Sequence, residues 1–326
     1  MSVRNKAKER AQRAYKTQYR VTNWPDYNRS LVKRGSLTLW IDEQTLNAWH
    51  YTGPQRRGGQ VVYTDLAIAC LLTLQAVFQL PLRATQGLAH SLFELMGLDL
   101  PVPNYTTLSR RAAGLVVKLP RNVNRPVHLV VDASGLKTYG EGEWRTRKHG
   151  KRGRRSWRKL HLAVDEASGE VQAIILSSLE LDDAGAVEAL LGQVATPITQ
   201  LSGDGAYDKR KVYTWAAEQD IQRPAIPPQK RARTWKQAAL PDSEAHPRDK
   251  TLARIGQIGR RSWKRASGYY RQSVVENTFY RYKKIFGSSL RSRKLAQQIT
   301  EANIKCAILN RMAQLGMPDS YPVLAG

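Results

Sequence analysis

The hydrophobic pattern of this sequence changes near residue 125 from a helical period to the alternation of strands, and this change constrains the fold most. Residues 65–79, 83–96 and 106–119 are apolar at helical spacing and predict three helices. From residue 127 onward, β-branched residues and Gly-bearing turns predict the order strand, hairpin, helix, strand, helix, strand. The sequence therefore predicts an α/β fold that follows an all-helical region.

The predicted sheet begins with VHLVVD at residues 127–132. KLHLAVD and VQAIILSS, joined by the turn EASGE, predict an antiparallel hairpin, and ITQLSGD and RPAIP predict two further strands. Residues 227–267 are basic and have little apolar periodicity, so they predict an insertion or a flexible loop. The remaining helices are expected after Asp182 and Asp183, over 208–219, over 268–286 and over 295–315.

The chain carries a large excess of positive charge. Its 326 residues include 52 Lys and Arg against 27 Asp and Glu, which gives a formal charge of +25 and a pI near 10.3. A surplus of this size is typical of proteins that bind a polyanion, and nucleic acid is the first candidate. A solvated cationic surface and an anionic membrane are the alternatives, although the sequence has no basic amphipathic anchor or lipidation motif.

Cysteine, histidine and targeting patterns exclude several classes of protein. Cys70 and Cys306 lie within apolar helical patterns, which indicates two core residues rather than a disulfide framework or a thiolate metal site. The six histidines do not form the close pairs of a zinc site. The N-terminus lacks an apolar secretion signal, and no segment reaches the roughly 18 apolar residues of a membrane span. We therefore expect a cytoplasmic protein.

Two N-terminal regions are candidates for contact with DNA. Residues 1–35 are polar and basic and are typical of an arm that orders on DNA, or of a frayed terminus. Residues 36–124 contain three short helices, and the last of them projects Arg110 and Arg111 from its first turns. This pattern favours a helix-turn-helix-like DNA-binding domain, whose final helix enters the major groove. A trihelical module with surface arginines and no partner is the alternative.

Two basic segments combine positive charge with tryptophan. Residues 144–159 contain nine Lys or Arg and two tryptophans, a composition that neutralises phosphates and stacks on exposed bases. In the basic stretch 227–267, Trp235 and Trp263 are candidates to wedge against a base displaced at a cut end. The DNA-binding residues predicted in the first segment are Trp144, Arg145, Lys148, Arg154, Arg155, Trp157, Arg158 and Lys159.

Two aspartates each follow an apolar strand pattern. Asp132 ends the run HLVVD before the polar loop ASGLKTYG, so a buried strand would fix its backbone while the carboxylate emerges at the rim of the sheet. A turn-forming role is the alternative for this residue. Asp204 has the same relation to its own strand, and the flanking Gly203 and Gly205 allow another backbone or a phosphate to approach closely.

A third acid, Glu276, lies beside the apolar stripe of the helix predicted over 268–286. A carboxylate in that position is costly unless it binds a cation, and ion pairing with Lys or Arg on the same face is the alternative. Together with Asp132 and Asp204 it offers the oxygen ligands that a pair of divalent ions prefers. The acids assigned instead to exposed turns and helix caps are Asp165, Glu166, Asp182 and Asp183.

These segments resemble a bacterial insertion-sequence transposase of the DDE type, in the insertion-sequence-five family. The resemblance covers residues 125–315 and rests on the blocks VVDASGLKTYGEGEW, WRKLHLAVDEASGE, DGAYD and YYRQSVVENTFYRYKKIFG. It implies a ribonuclease-H-like core, in which a mixed sheet is flanked by helices. It also implies that Asp132, Asp204 and Glu276 are the catalytic residues and bind two Mg²⁺ ions, for which Mn²⁺ can substitute.

The glutamate helix of the family reads Tyr, two residues, Arg, three residues, Glu, six residues, Lys. Tyr269, Glu276 and Lys283 fit this pattern. Gln272 stands where arginine is expected, and the adjacent Arg271 points elsewhere because one residue turns a helix by about 100°. The resemblance implies that Tyr269, Gln272 and Lys283 position the terminal phosphates of the DNA. We add Arg271 to the predicted DNA-binding residues.

The predicted function is a DNA transposase that recognises terminal inverted repeats and performs two-metal strand cleavage and strand transfer by cut and paste. We expect it to act as a homodimer on double-stranded DNA in the bacterial nucleoid. Alternatives are a non-catalytic DNA-binding protein, such as a repressor or a domesticated transposase, and a nuclease that never joins strands. The predicted domains are a basic arm (1–35), a helical DNA-binding domain (36–124), a catalytic core (125–226 and 268–316), a basic insertion (227–267) and a tail (317–326).

Overall fold

The computed structural model describes residues 18–54, 57–121, 124–138, 157–221, 223–235 and 246–323. The chain forms two compact units, one of residues 1–39 with 312–326 and one of residues 40–311. The helices predicted within 36–124 and the predicted catalytic core thus fall largely in one unit. The domain boundaries proposed from the sequence remain predictions.

The described helices and strands include all of the predicted ones in the predicted order, together with several that were not predicted, and the third helix, expected over 106–119, ends at Arg111. The helices are α1 (Trp24–Lys33), α2 (Leu37–Trp40), α3 (Glu43–Asn47), α4 (Asp65–Val77), α5 (Leu82–Leu95), α6 (Tyr105–Arg111), α7 (Val187–Leu191), α8 (Arg210–Glu218), α9 (Pro247–Ile258), α10 (Arg260–Ala266), α11 (Ser273–Phe286) and α12 (Leu295–Gln314). The strands are β1 (Gln18–Val21), β2 (Val127–Thr138), β3 (Trp157–Asp165), β4 (Val171–Ser177), β5 (Ile198–Ser202), β6 (Arg223–Ala225), β7 (Ser289–Leu290) and β8 (Ser320–Val323). Short 3₁₀ turns cover Ala184–Ala186, Gly205–Tyr207 and Tyr269–Gln272.

The smaller unit joins the two ends of the chain. Strand β1 pairs antiparallel with β8, and α1 follows β1. Asn23 donates from Nδ2 to the carbonyl of Met317 at 3.0 Å and accepts from the N–H of Asp319 at 2.8 Å. Residues 18–33, predicted as part of an arm that orders on DNA or frays, thus form a strand and a helix. Residues 1–17 lie outside the described part of the chain.

A mixed sheet forms the centre of the larger unit. Its strand order is β4–β3–β2–β5–β6, and β7 pairs with β2 beyond this path. The pairs β2–β3 and β3–β4 are antiparallel, whereas β5 and β7 run parallel to β2, and β6 runs parallel to β5. The predicted hairpin is therefore confirmed. Six strands of mixed direction, flanked by helices, fit the expected ribonuclease-H-like core.

Both faces of this sheet are covered by apolar side chains. On one face, α7 and α8 pack against β2, β3 and β5. The apolar side chains that point to this face of the strands make the contacts. On the other face, α11 contacts β2 and β3 through the predicted apolar stripe. The stripe residues are all buried: Val275, Phe279, Tyr282 and Phe286. Cys70 and Cys306 are buried free thiols, as predicted.

Strand β2 continues past the point where the sequence pattern predicted its end. Asp132 was expected at the junction of a strand and a loop, but β2 extends to Thr138. The reason is pairing, because β3 runs beside β2 from Leu129 through Lys137 and holds the polar segment in an extended conformation. Asp132 therefore lies in the middle of a strand, where pairing opposite Leu162 of β3 fixes its backbone.

Residues 246–266 of the predicted flexible insertion form two helices, α9 and α10. A buried ion pair fixes α9, since Arg248 Nε lies 2.6 Å from Asp208 Oδ1. Trp263 is 5% exposed, and Trp235 packs against the core with Arg248 over its ring at 4.2 Å. The proposed wedging of a base is wrong for Trp263, because its indole is buried. Residues 236–245 lie outside the described residues.

The outer edge of β4 is covered by two side-chain amides. Asn310 of α12 accepts from the N–H of Val171 at 2.7 Å and donates to its carbonyl at 2.8 Å. Gln193 donates to the carbonyl of Ile174 at 3.1 Å and accepts from its N–H at 3.4 Å. These amides bond backbone groups of Val171 and Ile174 that a further strand would otherwise pair.

No single described helix is long and apolar enough to cross a membrane. The pair α4 and α5 passes the test together by length and composition, with a bend of 109° between the two helices. Most apolar residues of α4 are buried within the protein, among them Ile68, Leu71 and Leu74.

Candidate active site

Asp132 is a half-buried carboxylate at the centre of the sheet. Its Oδ1 accepts from the N–H of Ala133 at 2.8 Å. Burial raises its pKa to about 6, and the negative charges of Asp204, Glu276 and Asp183 act in the same direction. These charge effects indicate that each of the other three acids lies within electrostatic range of Asp132.

Asp204 is positioned by the turn that it caps. It follows β5, and its side chain accepts from the N–H of Ala206 at 2.8 Å at the start of a 3₁₀ turn. A Cβ on Gly203 would lie 2.9 Å from the ring of Tyr207 and 3.1 Å from the side chain of Val131. Glycine is therefore needed at position 203, because it lets the Tyr207 ring and β2 pack directly beneath Asp204.

Glu276 is held in place by its helix rather than by burial. Its side chain is exposed, so the expected cost of a carboxylate against the apolar stripe does not arise. Gln272 donates to the carbonyl of Val131 at 3.0 Å, and Lys283 donates to Ser134 Oγ at 2.7 Å. Val131 and Ser134 flank Asp132 on β2. These two anchors hold α11 along β2, with Glu276 between them.

Asp132, Asp204 and Glu276 thus lie in the same region of the structure, but their carboxylates are not close enough together to bind one ion. Among the described residues, no group of three or more His, Cys, Asp or Glu side chains is close enough to hold a metal ion. The donor set is nonetheless suited to a hard divalent cation, because it consists of carboxylate oxygens that repel one another and raise the pKa of Asp132. None of the ion pairs among the described residues involves Glu276, so ion pairing with Lys or Arg, the alternative raised by the sequence, is not observed for it.

The four acids assigned to exposed turns and caps differ from one another. Asp182 accepts from the N–H of Gly185 at 2.9 Å, as predicted for a cap. Asp165 accepts from Ser168 within the hairpin turn, but it is fully buried rather than exposed. Asp183 makes no side-chain capping bond; its Oδ1 lies 3.1 Å from Lys159 Nζ instead, and its charge contributes to the raised pKa of Asp132. The sequence gives no sign of this, because its partners come from β3.

Tyr269, predicted from the glutamate helix, lies close to the acids. Burial raises its pKa, and Asp204, Glu276 and Asp132 raise it further. The Nζ of Lys264 lies 4.4 Å from the centre of its ring. Lys264 was not singled out from the sequence, because it lies in the stretch predicted to be a loop.

Two residues predicted to contact DNA make polar contacts within the protein. Gln272 is 6% exposed and its amide donates to the carbonyl of Val131, so it anchors α11, and its contact with a phosphate stays a prediction. Lys159 lies 3.1 Å from Asp183 Oδ1. Its charge is therefore already paired.

The remaining predicted DNA contacts are placed on several elements. Arg110 is exposed on α6, whereas Arg111 donates to Asp65 at 2.6 Å. The ring of Trp157 packs on Gly135, and Arg158 donates to Gln298 at 3.1 Å. The exposed Arg271 pairs with Glu166, and Trp144, Arg145, Lys148, Arg154 and Arg155 lie outside the described residues.

Two models of known families match this chain. A family model described as a transposase DDE domain matches residues 124–311, which is more than half of the chain and includes Asp132, Asp204 and Glu276. A second model with the same description matches residues 32–141. The chain has no significant match among solved structures. The chain belongs to the family of DDE transposases, enzymes that act on DNA.

Proposed function

We propose that this transposase cuts DNA strands at the inverted repeats of an insertion sequence of the insertion-sequence-five family and joins them to a target by cut and paste. Two divalent ions, Mg²⁺ in the cell, would be held by Asp132, Asp204 and Glu276. The observation that carries the proposal is the anchoring of α11 to β2 on either side of Asp132, because it keeps Glu276 beside the two aspartates.

The chain's own residues supply orientation and charge for this reaction. Bound divalent ions would activate a water or a DNA 3′-hydroxyl and stabilise the leaving oxygen of an in-line displacement. Asp204 is oriented by its bond to Ala206, and Asp132 is ionised at neutral pH because its pKa is near 6. Lys283 acts through Ser134 and α11, so we assign it a positioning role.

We also propose how the protein engages its DNA. The surplus of positive charge attracts the phosphate backbone, and the basic segment 144–159 contributes much of it. Helix α6, which exposes Arg110, would read the inverted repeat in the major groove. A homodimer would bring two element ends together, and the reaction would take place in the cytoplasm on the nucleoid.

The test is strand cleavage of DNA that carries the native flanks of the gene, with and without Mg²⁺. We expect nicks at the element boundary in the wild type and none with Asp204→Asn, while DNA binding is retained. Asp182→Asn is the matched control, because Asp182 is an exposed cap paired with Lys211.

Each alternative gives a different result in the same assay. Binding without Mg²⁺-dependent nicks would reject the transposase reaction in favour of a DNA-binding protein without catalysis. Nicks without any strand-transfer product would indicate a nuclease. Cleavage retained by Asp204→Asn would reject the assignment of the acids.

A further inference from the structure

Helix α10 carries positive charge that the protein does not neutralise. Its seven residues, RRSWKRA, include four Lys or Arg and no acid. Within the described part of the chain, no acid forms an ion pair with Arg261, Lys264 or Arg265. These three residues are three and four positions apart, so their like charges lie on one side of the helix and repel one another. A polyanion bound to this side would remove that repulsion.

Contacts along its whole length fix α10 in place. Arg260, its first residue, donates to two backbone carbonyls of the segment after β6, at 2.5 and 3.2 Å. The indole of Trp263 is 5% exposed. Directly after the helix, the carbonyl of Ser267 accepts from Nε2 of Gln200 on β5 at 2.9 Å. The backbone of the charged helix is therefore already ordered, which lowers the entropic cost of binding a ligand to it.

The end of α10 lies on the same face of the sheet as Asp132. Gln200, which holds this end, is paired with His128 of β2 in the register of the sheet. Side chains alternate along a strand, so Asp132, four residues after His128, points to the same face as Gln200. The intervening Leu129 and Val131 belong to the core on the opposite face.

From this anchor the chain crosses from β5 to β2 and passes Asp132. Five residues after Ser267, Gln272 donates at 3.0 Å to the backbone carbonyl that directly precedes Asp132. Tyr269 lies in the turn between these two anchors, and Lys264 Nζ lies 4.4 Å from the centre of its ring. Lys264 is thus tied by direct contacts to the segment that runs past Asp132.

The contact with Tyr269 orients the ammonium group of Lys264 without using its hydrogen-bond donors. The face of an aromatic ring attracts a cation through its quadrupole. An ammonium group has three N–H donors, and no oxygen of the described residues accepts a bond from Lys264 Nζ. By contrast, Lys283 on α11 donates to Ser134 Oγ at 2.7 Å. Lys264 therefore has its donors available for a phosphate.

We propose that Lys264 and Arg261 bind backbone phosphates of the DNA strand that is cut at the acids. Arg260 and Trp263 position the helix for this contact. The proposal rests on the function proposed above, because it takes the acids as the place of cutting. It gives α10 a role in holding the substrate, in place of the predicted wedging of a base by Trp263.

A phosphate contact and a purely structural role of Lys264 predict different results. If Lys264 binds a phosphate, removing its charge makes the fall of DNA affinity with salt less steep. If it only supports the ring of Tyr269, its removal lowers the free energy of unfolding and leaves the salt dependence unchanged. The salt dependence therefore distinguishes the two roles.

The first experiment measures the Kd of the full chain for duplex DNA in EDTA at several salt concentrations. We expect Lys264→Met and Arg261→Gln each to reduce the slope of log K against log salt by about 1, and Lys264→Arg to keep it. The matched control is Lys211→Met. Lys211 lies on α8, which packs on the opposite face, and it already pairs with Asp182 at 2.9 Å. Its removal should leave the slope unchanged.

The second experiment tests whether Lys264 lies on the strand that is cut. Both cysteines of the chain, Cys70 and Cys306, are buried, so Lys264→Cys supplies an accessible thiol. DNA that carries an activated disulfide tether, on one phosphate at a time, reacts with a thiol that is in contact with it. We expect cross-links on the cut strand within a few nucleotides of the cleavage position, and none with Lys211→Cys.

Two results would overturn the proposal. One is a Lys264→Met protein with the slope of the wild type, and the other is cross-linking that occurs only on the uncut strand or far from the cleavage position. Arg261→Gln decides the first point where Lys264→Met does not fold, because Arg261 is exposed. Failure of the underlying function looks different, since no strand would then be cut although the slopes of both variants still fall.

Discussion

At the scale of single residues, the negative charge that the acid site needs for its function lowers the stability of the fold. Asp132 carries a pKa near 6 because burial and three like charges disfavour its ionised form. A carboxyl whose pKa is raised in the folded state stabilises the fold only while it is protonated. This contribution is complete below the ordinary value of 3.8 and is lost as the pH rises to about 6.

Asp132→Asn should therefore raise the free energy of unfolding at pH 7.5 in metal-free buffer, by up to about 3 kcal/mol, because asparagine stays neutral. The gain should shrink between pH 6 and pH 4 and vanish below that range. Urea denaturation at several pH values measures it. Asp182→Asn should show no gain, since hydrogen bonding to Lys211 lowers the pKa of Asp182. A pH-independent gain for Asp132→Asn would contradict this explanation.

At the scale of elements, side chains form hydrogen bonds to backbone groups that the strands leave unpaired. The edge of β4 is covered by Gln193 and by Asn310, which also donates to the carbonyl of Pro120 at 3.0 Å. Asn310 is 1% exposed, so water does not replace these bonds when its amide is removed. One side chain thus connects α12, the sheet and the segment that precedes β2.

Asn310→Ala should lower the free energy of unfolding by about 2–3 kcal/mol, because it leaves both backbone groups of Val171 buried without partners. Asn303 provides a control on the same helix, since among the described residues its side chain donates only to the carbonyl of Ile299 within α12. Asn303→Ala should cost less than about 0.5 kcal/mol. Equal losses in the two variants, measured by chemical denaturation, would show that the edge contacts contribute little.

The elements also show how far the sequence predicts this structure. The hairpin and the buried stripe of α11 were predicted, because local turn chemistry and periodicity decide them. The full length of β2 was not, because pairing with β3 extends a polar segment. The helix α9 was missed because it depends on the buried pair of Arg248 and Asp208, 40 residues apart.

The same distinction applies to the candidate site. Asp132, Asp204 and Glu276 were predicted from their places after strand patterns and in a helix, and the range that the family model matches includes all three. The ion pair of Asp183 with Lys159 was missed, because only tertiary contact with β3 produces it. For Gln272 a single hydrogen bond to β2 gives it a structural role that a sequence pattern does not reveal.

At the scale of the whole molecule, the charge of +25 is expected to make the affinity for DNA depend strongly on salt concentration. Each phosphate neutralised by Lys or Arg releases condensed counterions, so affinity falls with salt according to the number of contacts. The loss of affinity at high salt therefore measures how many phosphates the protein contacts, and the measurement does not require the sequence of the DNA site to be known.

We expect the Kd for duplex DNA, measured by fluorescence anisotropy in EDTA, to rise at least about a hundredfold between 50 and 200 mM salt. The double variant Arg154→Gln with Arg155→Gln should reduce the slope of log K against log salt by about 2. A control at Arg29→Gln tests an arginine already paired with Asp26, and its slope should be unchanged. An unchanged slope in the double variant would place the phosphate contacts elsewhere.

The pairing of β1 with β8 has a consequence for biosynthesis. Strand β1 leaves the ribosome roughly 300 residues before β8, which at 5–20 residues per second is a delay of about 15–60 s. Throughout this interval β1 has unpaired backbone groups, while the sheet of the larger unit already has every strand it needs before β8 is made. Formation of the sheet that carries the acids therefore does not depend on β8, whereas the strand pair of the smaller unit cannot form until β8 has been made.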